Sequence, residues 1–140
     1  MKADWTADDM LKLGTAHAAL EARCDLDGVM GTLVEDPVYE FWPAGLRISG
    51  GAQVRRYYEH LFSRFIPMTR SYELIGEWVN QTAVAQEYEI RLEVDGAVEK
   101  HRVVGILFAS GSRLGGERVY AGERCTRLMA GDLIDELASI

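Results

Sequence analysis

Two cysteines, three prolines and three histidines are all that 140 residues hold of the types that build disulfide frameworks, rigid loops and metal sites. Cys24 and Cys125 lie far apart in the chain and read as small buried hydrophobes rather than a bridge. His17, His60 and His101 are too dispersed for a local zinc motif, which leaves only a site gathered from distant residues. No Gly-x-Ser-x-Gly elbow, Walker loop or Gly-x-Gly-x-x-Gly turn occurs, so any chemistry is expected to run without a cofactor or metal. Long apolar runs are also missing. Nothing reaches the ~18 residues of a membrane span, and Met1-Lys2-Ala3-Asp4-Trp5-Thr6 has no apolar leader core. The Asn80-Gln81-Thr82 sequon is therefore idle. Basic side chains are outnumbered, 15 against 22 acidic ones for a net charge of −7, and no basic cluster offers a nucleic-acid footprint. The expectation is one soluble, cytoplasmic domain over residues 1–140, large enough to bury an ordinary core without staples.

What is present is strongly patterned. Thr6-Ala7-Asp8-Asp9 has the hydroxyl cap and first-turn acids of a helix start, and Met10, Leu13, His17 and Leu20 then share one face. Asp25 caps a shorter helix with the stripe Leu26, Val29, Met30 and Leu33. Val38–Trp42 is β-branched and aromatic, which predicts a strand, and Asp36 is expected at the turn before it. A second, short strand fits Leu46–Ile48. A third helix is predicted from Ala52 to Phe65, with Val54, Tyr57, Tyr58, Leu61, Phe62 and Phe65 inward and Pro67 closing it. The remainder reads as four strands, Tyr72–Val79, Thr82–Val94, Val98–Ala109 and Leu114–Thr126, with Asp95-Gly96 as a tight turn. A short terminal helix fits Asp132–Leu137. Helices first and an antiparallel meander afterwards predict an α+β domain, in which three helices cover a curved, cone-shaped sheet that leaves a pocket.

This order resembles the nuclear transport factor 2-like superfamily. The residues that carry the likeness are Asp25-Leu26-Asp27-Gly28-Val29, Ile48-Ser49-Gly50-Gly51-Ala52 and Gly116-Glu117-Arg118-Val119-Tyr120. The superfamily includes ketosteroid isomerases, SnoaL-like polyketide cyclases, limonene-epoxide hydrolases and plain ligand binders. In the register set by Asp25-Leu26-Asp27-Gly28, the resemblance puts the isomerases' general base at Phe41 and their oxyanion-hole tyrosine at His17. Their supporting tyrosine falls on Tyr58, and their oxyanion-hole aspartate falls near Leu107. A base cannot be Phe41, so ketosteroid isomerisation is not expected. The cyclases' acid, two residues past the tyrosine of the last strand, falls on Gly122, and the hydrolases' arginine and acid pair find no match.

The resemblance makes the concave faces the lining. Strand alternation then places Tyr39 with Phe41, Tyr88 with Ile90 and Leu92, His101 with Leu107, and Arg118 with Tyr120. His17 has two readings: a core histidine bonded to Tyr58 or to backbone, or a pocket acid or base. Arg118 either binds a ligand oxygen or pairs with Glu87 or another acid. His101 falls near the pocket mouth. The expected function is cofactor-free proton transfer on a small apolar or aromatic, carbonyl-bearing molecule, with His17, Tyr58 and Arg118 as the working groups. Tyr39, Phe41, Tyr88, Ile90, His101, Leu107 and Tyr120 are the expected ligand contacts. The alternative is a binding or sensing module without turnover. Arg102, Val104, Ile106 and Phe108 make the other face of their strand apolar as well, which calls for a cover and predicts a homodimer through the sheet.

Overall fold

The computed structural model describes residues 4–140. The residues Met1–Ala3, part of the segment expected to lack a leader core, lie outside the described residues. Helix α1 (Ala7–Ala22) starts at Thr6 in a complete capping box, with the Thr6 hydroxyl accepting from the Asp9 amide and the Asp9 carboxylate accepting from the Thr6 amide. Its buried face is Met10, Gly14 and His17. Leu13 and Leu20 are only half-buried, because Gly14 sits where the helix presses closest to the sheet. A Cβ at Gly14 would stand 2.7 Å from Val84 Cγ1. Helix α2 (Leu26–Gly31) is capped by Asp25, which accepts from the Gly28 amide.

Strand β1 (Leu33–Trp42) leads to β2 (Leu46–Ser49) and α3 (Gly51–His60). The helix then widens into one π turn, Leu61–Phe65, before a last turn α4 (Ile66–Met68) with Pro67 inside it. Three long antiparallel strands follow: β3 (Thr69–Val79), β4 (Ala83–Val94) and β5 (Ala97–Ser110). Then come β6 (Arg113–Tyr120), α5 (Glu123–Ala130), a 3-10 turn (Gly131–Glu136) and β7 (Ala138–Ser139). The seven strands form one open sheet in the order β3-β4-β5-β6-β1-β2-β7. The fold is α+β, a curved unclosed sheet carrying helices on its concave side.

Several details differ from the sequence reading. The sheet is mixed, since β1 and β6 run parallel. Leu114–Thr126 is a strand only as far as Tyr120, and Cys125, Thr126, Met129 and Ala130 are the buried face of α5 instead. Asp36 lies within β1, exposed where the β1–β6 register shifts. Cys24 is exposed and only Cys125 is buried. The tight turn holds as expected, with Asp95 and Gly96 both at positive φ. No helix among the described residues is long and apolar enough to cross a membrane.

One irregularity decides which side chains of β6 face inward. Phe108 opposes Gly116 while Ala109 opposes Leu114, so Gly115 is an extra residue, a β-bulge. Leu114 points into the core before it; after it the inward side chains are Glu117 and Val119. Gly116, at φ +148°, makes the bulge possible: a Cβ there would fall 1.7 Å from the Val38 carbonyl oxygen.

Candidate functional site

A cavity of about 420 Å³ lies between the concave sheet face and the helices. Beneath it, α3 lays its aromatic side on β1. Tyr57 packs on Tyr39 and Phe41 with ring centroids 5.8 and 5.5 Å apart, and Tyr58 meets Tyr39 edge-on at 5.7 Å.

His17 is buried and both its ring nitrogens are occupied. The Thr32 hydroxyl donates its one proton to the Val29 carbonyl at 2.6 Å. Its oxygen, 2.7 Å from His17 Nδ1, must therefore accept, which puts a proton on Nδ1. In the neutral ring Nε2 is then the acceptor of the Tyr58 hydroxyl at 3.1 Å, and the Tyr58 oxygen accepts from Tyr39 at 2.5 Å. The network runs one way on each side of the imidazole and ends on a backbone carbonyl. Every member is satisfied, so the network holds α1, α2, α3 and β1 together. Glu21, one turn after His17, has its carboxylate 3.6 Å from Nε2, beyond hydrogen-bonding distance.

The group that sequence reasoning missed is Glu117. In register it stands between Tyr39 of β1 and Leu107 of β5. Its carboxyl lies over Gly105, where a Cβ would come within 2.7 Å of Oε2. Gly105 is thus a slot that lets an acid reach across to the cavity. Burial pushes the Glu117 carboxyl up to about 8, and the Glu21 charge adds to the rise. Burial also raises Tyr39, Tyr57, Tyr58 and Tyr88 well above the ordinary phenol value, with Glu117 the next cause for Tyr39, Tyr57 and Tyr88. These hydroxyls are therefore donors near neutral pH and not bases. Tyr57 is 97 % buried by its 3 % exposure, yet its hydroxyl has no hydrogen-bond partner among the described residues. The half-buried Tyr88 hydroxyl likewise has no hydrogen-bond partner among the described residues.

The expected site residues separate into two groups. His17, Tyr88, Ile90 and Leu107 do line the cavity. Tyr39 and Phe41 under Tyr57, together with Tyr58 of α3 itself, are fully buried and form its foundation rather than its wall. Arg118 and Tyr120 face away, a consequence of the Gly115 bulge. Arg118 sits over the Phe108 ring, 4.9 Å from its centroid, and Tyr120 is exposed. Glu87, proposed as a partner for Arg118, pairs with Arg102 at 2.9 Å. His101 bonds Glu99 at 3.0 Å, away from the cavity lining; Glu99, held also by Arg124, is lowered to about 2. The signal that would have found Glu117 is the Gly115-Gly116 pair, which marks a bulge and a change of strand phase. Among the described residues no three His, Cys, Asp or Glu side chains are grouped to hold a metal.

The architecture is the nuclear transport factor 2-like fold. A nuclear transport factor 2-like protein from Anabaena variabilis matches with a TM-score of 0.68 at 20% identity, covering 83% of this chain and 91% of that one. A LEH-like epoxide hydrolase of M. tuberculosis matches at 0.65 and 18% identity, covering 92% and 91%. PrhC from Penicillium brasilianum matches at 0.67 and 11% identity, covering 95% and 98%. No family model and no curated protein sequence matches the chain.

Proposed function

We propose that the protein is a cofactor-free proton-transfer catalyst for a small, largely apolar carbonyl compound, with Glu117 as the acid–base group. The observation that carries this reading is a carboxyl with its pKa brought to about 8 inside a cavity where Tyr57 and Tyr88 offer unspent hydroxyl protons. A base whose pKa lies near the working pH is both present in ionised form and strong enough to take a carbon-bound proton. As Glu117 removes a proton next to a carbonyl, negative charge grows on the carbonyl oxygen, and a phenol that stays protonated is a suitable donor to it. The returned proton completes an isomerisation, or an elimination if a leaving group departs. Such chemistry is consistent with a fold whose structural neighbours include a protein described as a LEH-like epoxide hydrolase.

The test uses 2-tetralone, a bicyclic ketone with acidic α-hydrogens, in D2O. Proton NMR should show exchange at its α-carbon accelerated at least ~10²-fold by the protein and returned to background by Glu117→Gln. Binding of 2-tetralone without acceleration would favour the second reading, a non-catalytic carrier or sensor. That reading has its own support in the saturated His17–Tyr58–Tyr39 network, which leaves His17 no free nitrogen for a ligand.

We further propose that the outer sheet face seats a second copy of the chain. Trp78, Ala85, Ile106 and Arg118 stand in one cross-strand row on that face, and Trp78 is 59 % exposed. The free thiols of Cys24 and Cys125 suit a reducing compartment, which for this reading is the cytoplasm.

A further inference from the structure

Among the described residues, the charged side chains on the cavity wall all have one sign. Glu21 comes from α1 and Glu117 from β6, while no lysine or arginine among the described residues lines the space. His17 is the one other titratable nitrogen there, and both its ring nitrogens are already engaged. Among the described residues, Glu21 has no cation beside it other than that imidazole 3.6 Å away. At the open side, Tyr72 is 56 % exposed and its ring lies 5.1 Å from that of Tyr88, tilted by 42°. The Glu21 charge is the strongest electrostatic neighbour of the Tyr72 hydroxyl, so α1 and β3 bring an acid and an aromatic pair to the same mouth. Deeper in, the 97 %-buried Tyr57 presents a hydroxyl with no partner in the described chain.

We propose that the molecule bound here carries a protonated amine, held at the mouth by Glu21 and the Tyr72–Tyr88 rings, and an oxygen at its other end that accepts from Tyr57. This rests on the cavity being the ligand site and narrows the carbonyl compound above to an amino ketone or a close relative. The faces of aromatic rings attract cations, and a carboxylate with no fixed partner strengthens the attraction. An acidic ligand would meet two carboxyls and no compensating charge. A neutral apolar ligand would leave the Tyr57 hydroxyl without an acceptor.

The experiment uses three probes of nearly equal shape at pH 7, 1-naphthylmethylammonium, 1-naphthalenemethanol and 1-naphthoate, with binding measured by calorimetry and ligand-observed NMR. The ammonium should bind at least ~10-fold more tightly than the alcohol, with the carboxylate weakest. Glu21→Gln should bring ammonium and alcohol within about threefold of each other while leaving the alcohol affinity unchanged, which also shows that the variant is folded. Tyr72→Leu, at an exposed position, should weaken the ammonium selectively by a smaller factor. An alcohol that binds as well as the ammonium, or a preference that survives both substitutions, overturns the amine assignment but leaves the cavity as a ligand site. Failure of all three probes to bind the native protein overturns both.

Discussion

Replacing Glu117 with Gln should make the protein more stable, by a margin that is absent in acid and grows as pH rises. The carboxyl titrates near its ordinary value of 4.5 in the unfolded chain and at about 8 in the fold. Between those values the folded state holds a proton that the unfolded state has released, so stability falls as pH rises and the loss is complete above about 8. At ~1.4 kcal/mol per pH unit the interval sets a ceiling of about 5 kcal/mol. Glu117 is only half-buried and shares its field with Glu21, so cavity water screens part of that, and about 2 kcal/mol is the expected gain. An amide of the same shape has no proton to lose and keeps the packing over Gly105. Urea unfolding from pH 4 to pH 9 should therefore give coincident curves for wild type and variant at the acid end, separating from about pH 4.5 upward and levelling off by about pH 8. Parallel curves across the range would show that Glu117 titrates like a solvated acid. The acid–base role would then lose its basis.

Three further outcomes follow from single positions. Gly116→Ala drives a Cβ into the Val38 carbonyl, where backbone cannot yield, and should cost at least ~3 kcal/mol in a thermal or urea melt; a wild-type Tm would contradict the bulge geometry. Gly105→Ala meets only the movable end of Glu117, so stability should stay within ~1 kcal/mol while 2-tetralone exchange drops at least tenfold as the carboxyl is pushed aside; unchanged exchange would place the reacting atoms elsewhere. Ile106→Lys sets an unpaired cation beside Arg118 in the outer row and should convert a sedimenting dimer to monomer; a native protein that is already monomeric at micromolar concentration refutes the sheet-face dimer.

Local signals carried most of the architecture. The Thr6–Asp9 capping box, the Asp25 cap and the Asp95-Gly96 turn are short-range devices whose residues sit within a few positions of one another, and each is found where its pattern predicts. The first failure was α5. Its Cys125–Met129 spacing is helical, but Gly122 offers no side-chain cap to mark where the helix begins. The second was the inward face of β6. Counting alternate residues from Leu114 leads to Arg118 and Tyr120, and that count is valid only in an unbroken strand. A single extra residue at Gly115 reverses it, which moved the acid onto the cavity and the arginine off it. The foundation role of Tyr39, Phe41 and Tyr58 was unreadable for another reason. Alternation says which face a side chain takes, but not whether a helix lies directly on it.

The π turn at Leu61–Phe65 carries a consequence for how this cavity can change over generations. Leu61, Phe65 and Ile66 all reach the wall, and the wide turn closes with the Ile66 amide bonding the Leu61 carbonyl. Loss of one codon within it would restore a regular α-helix and shift the neighbouring side chains by about 100° around the helix axis. Phe65 and Ile66 would swing off the wall together while the sheet, with Glu117 on it, stayed in place. A deletion, rather than a series of substitutions, is the short route to a pocket of different volume around the same acid.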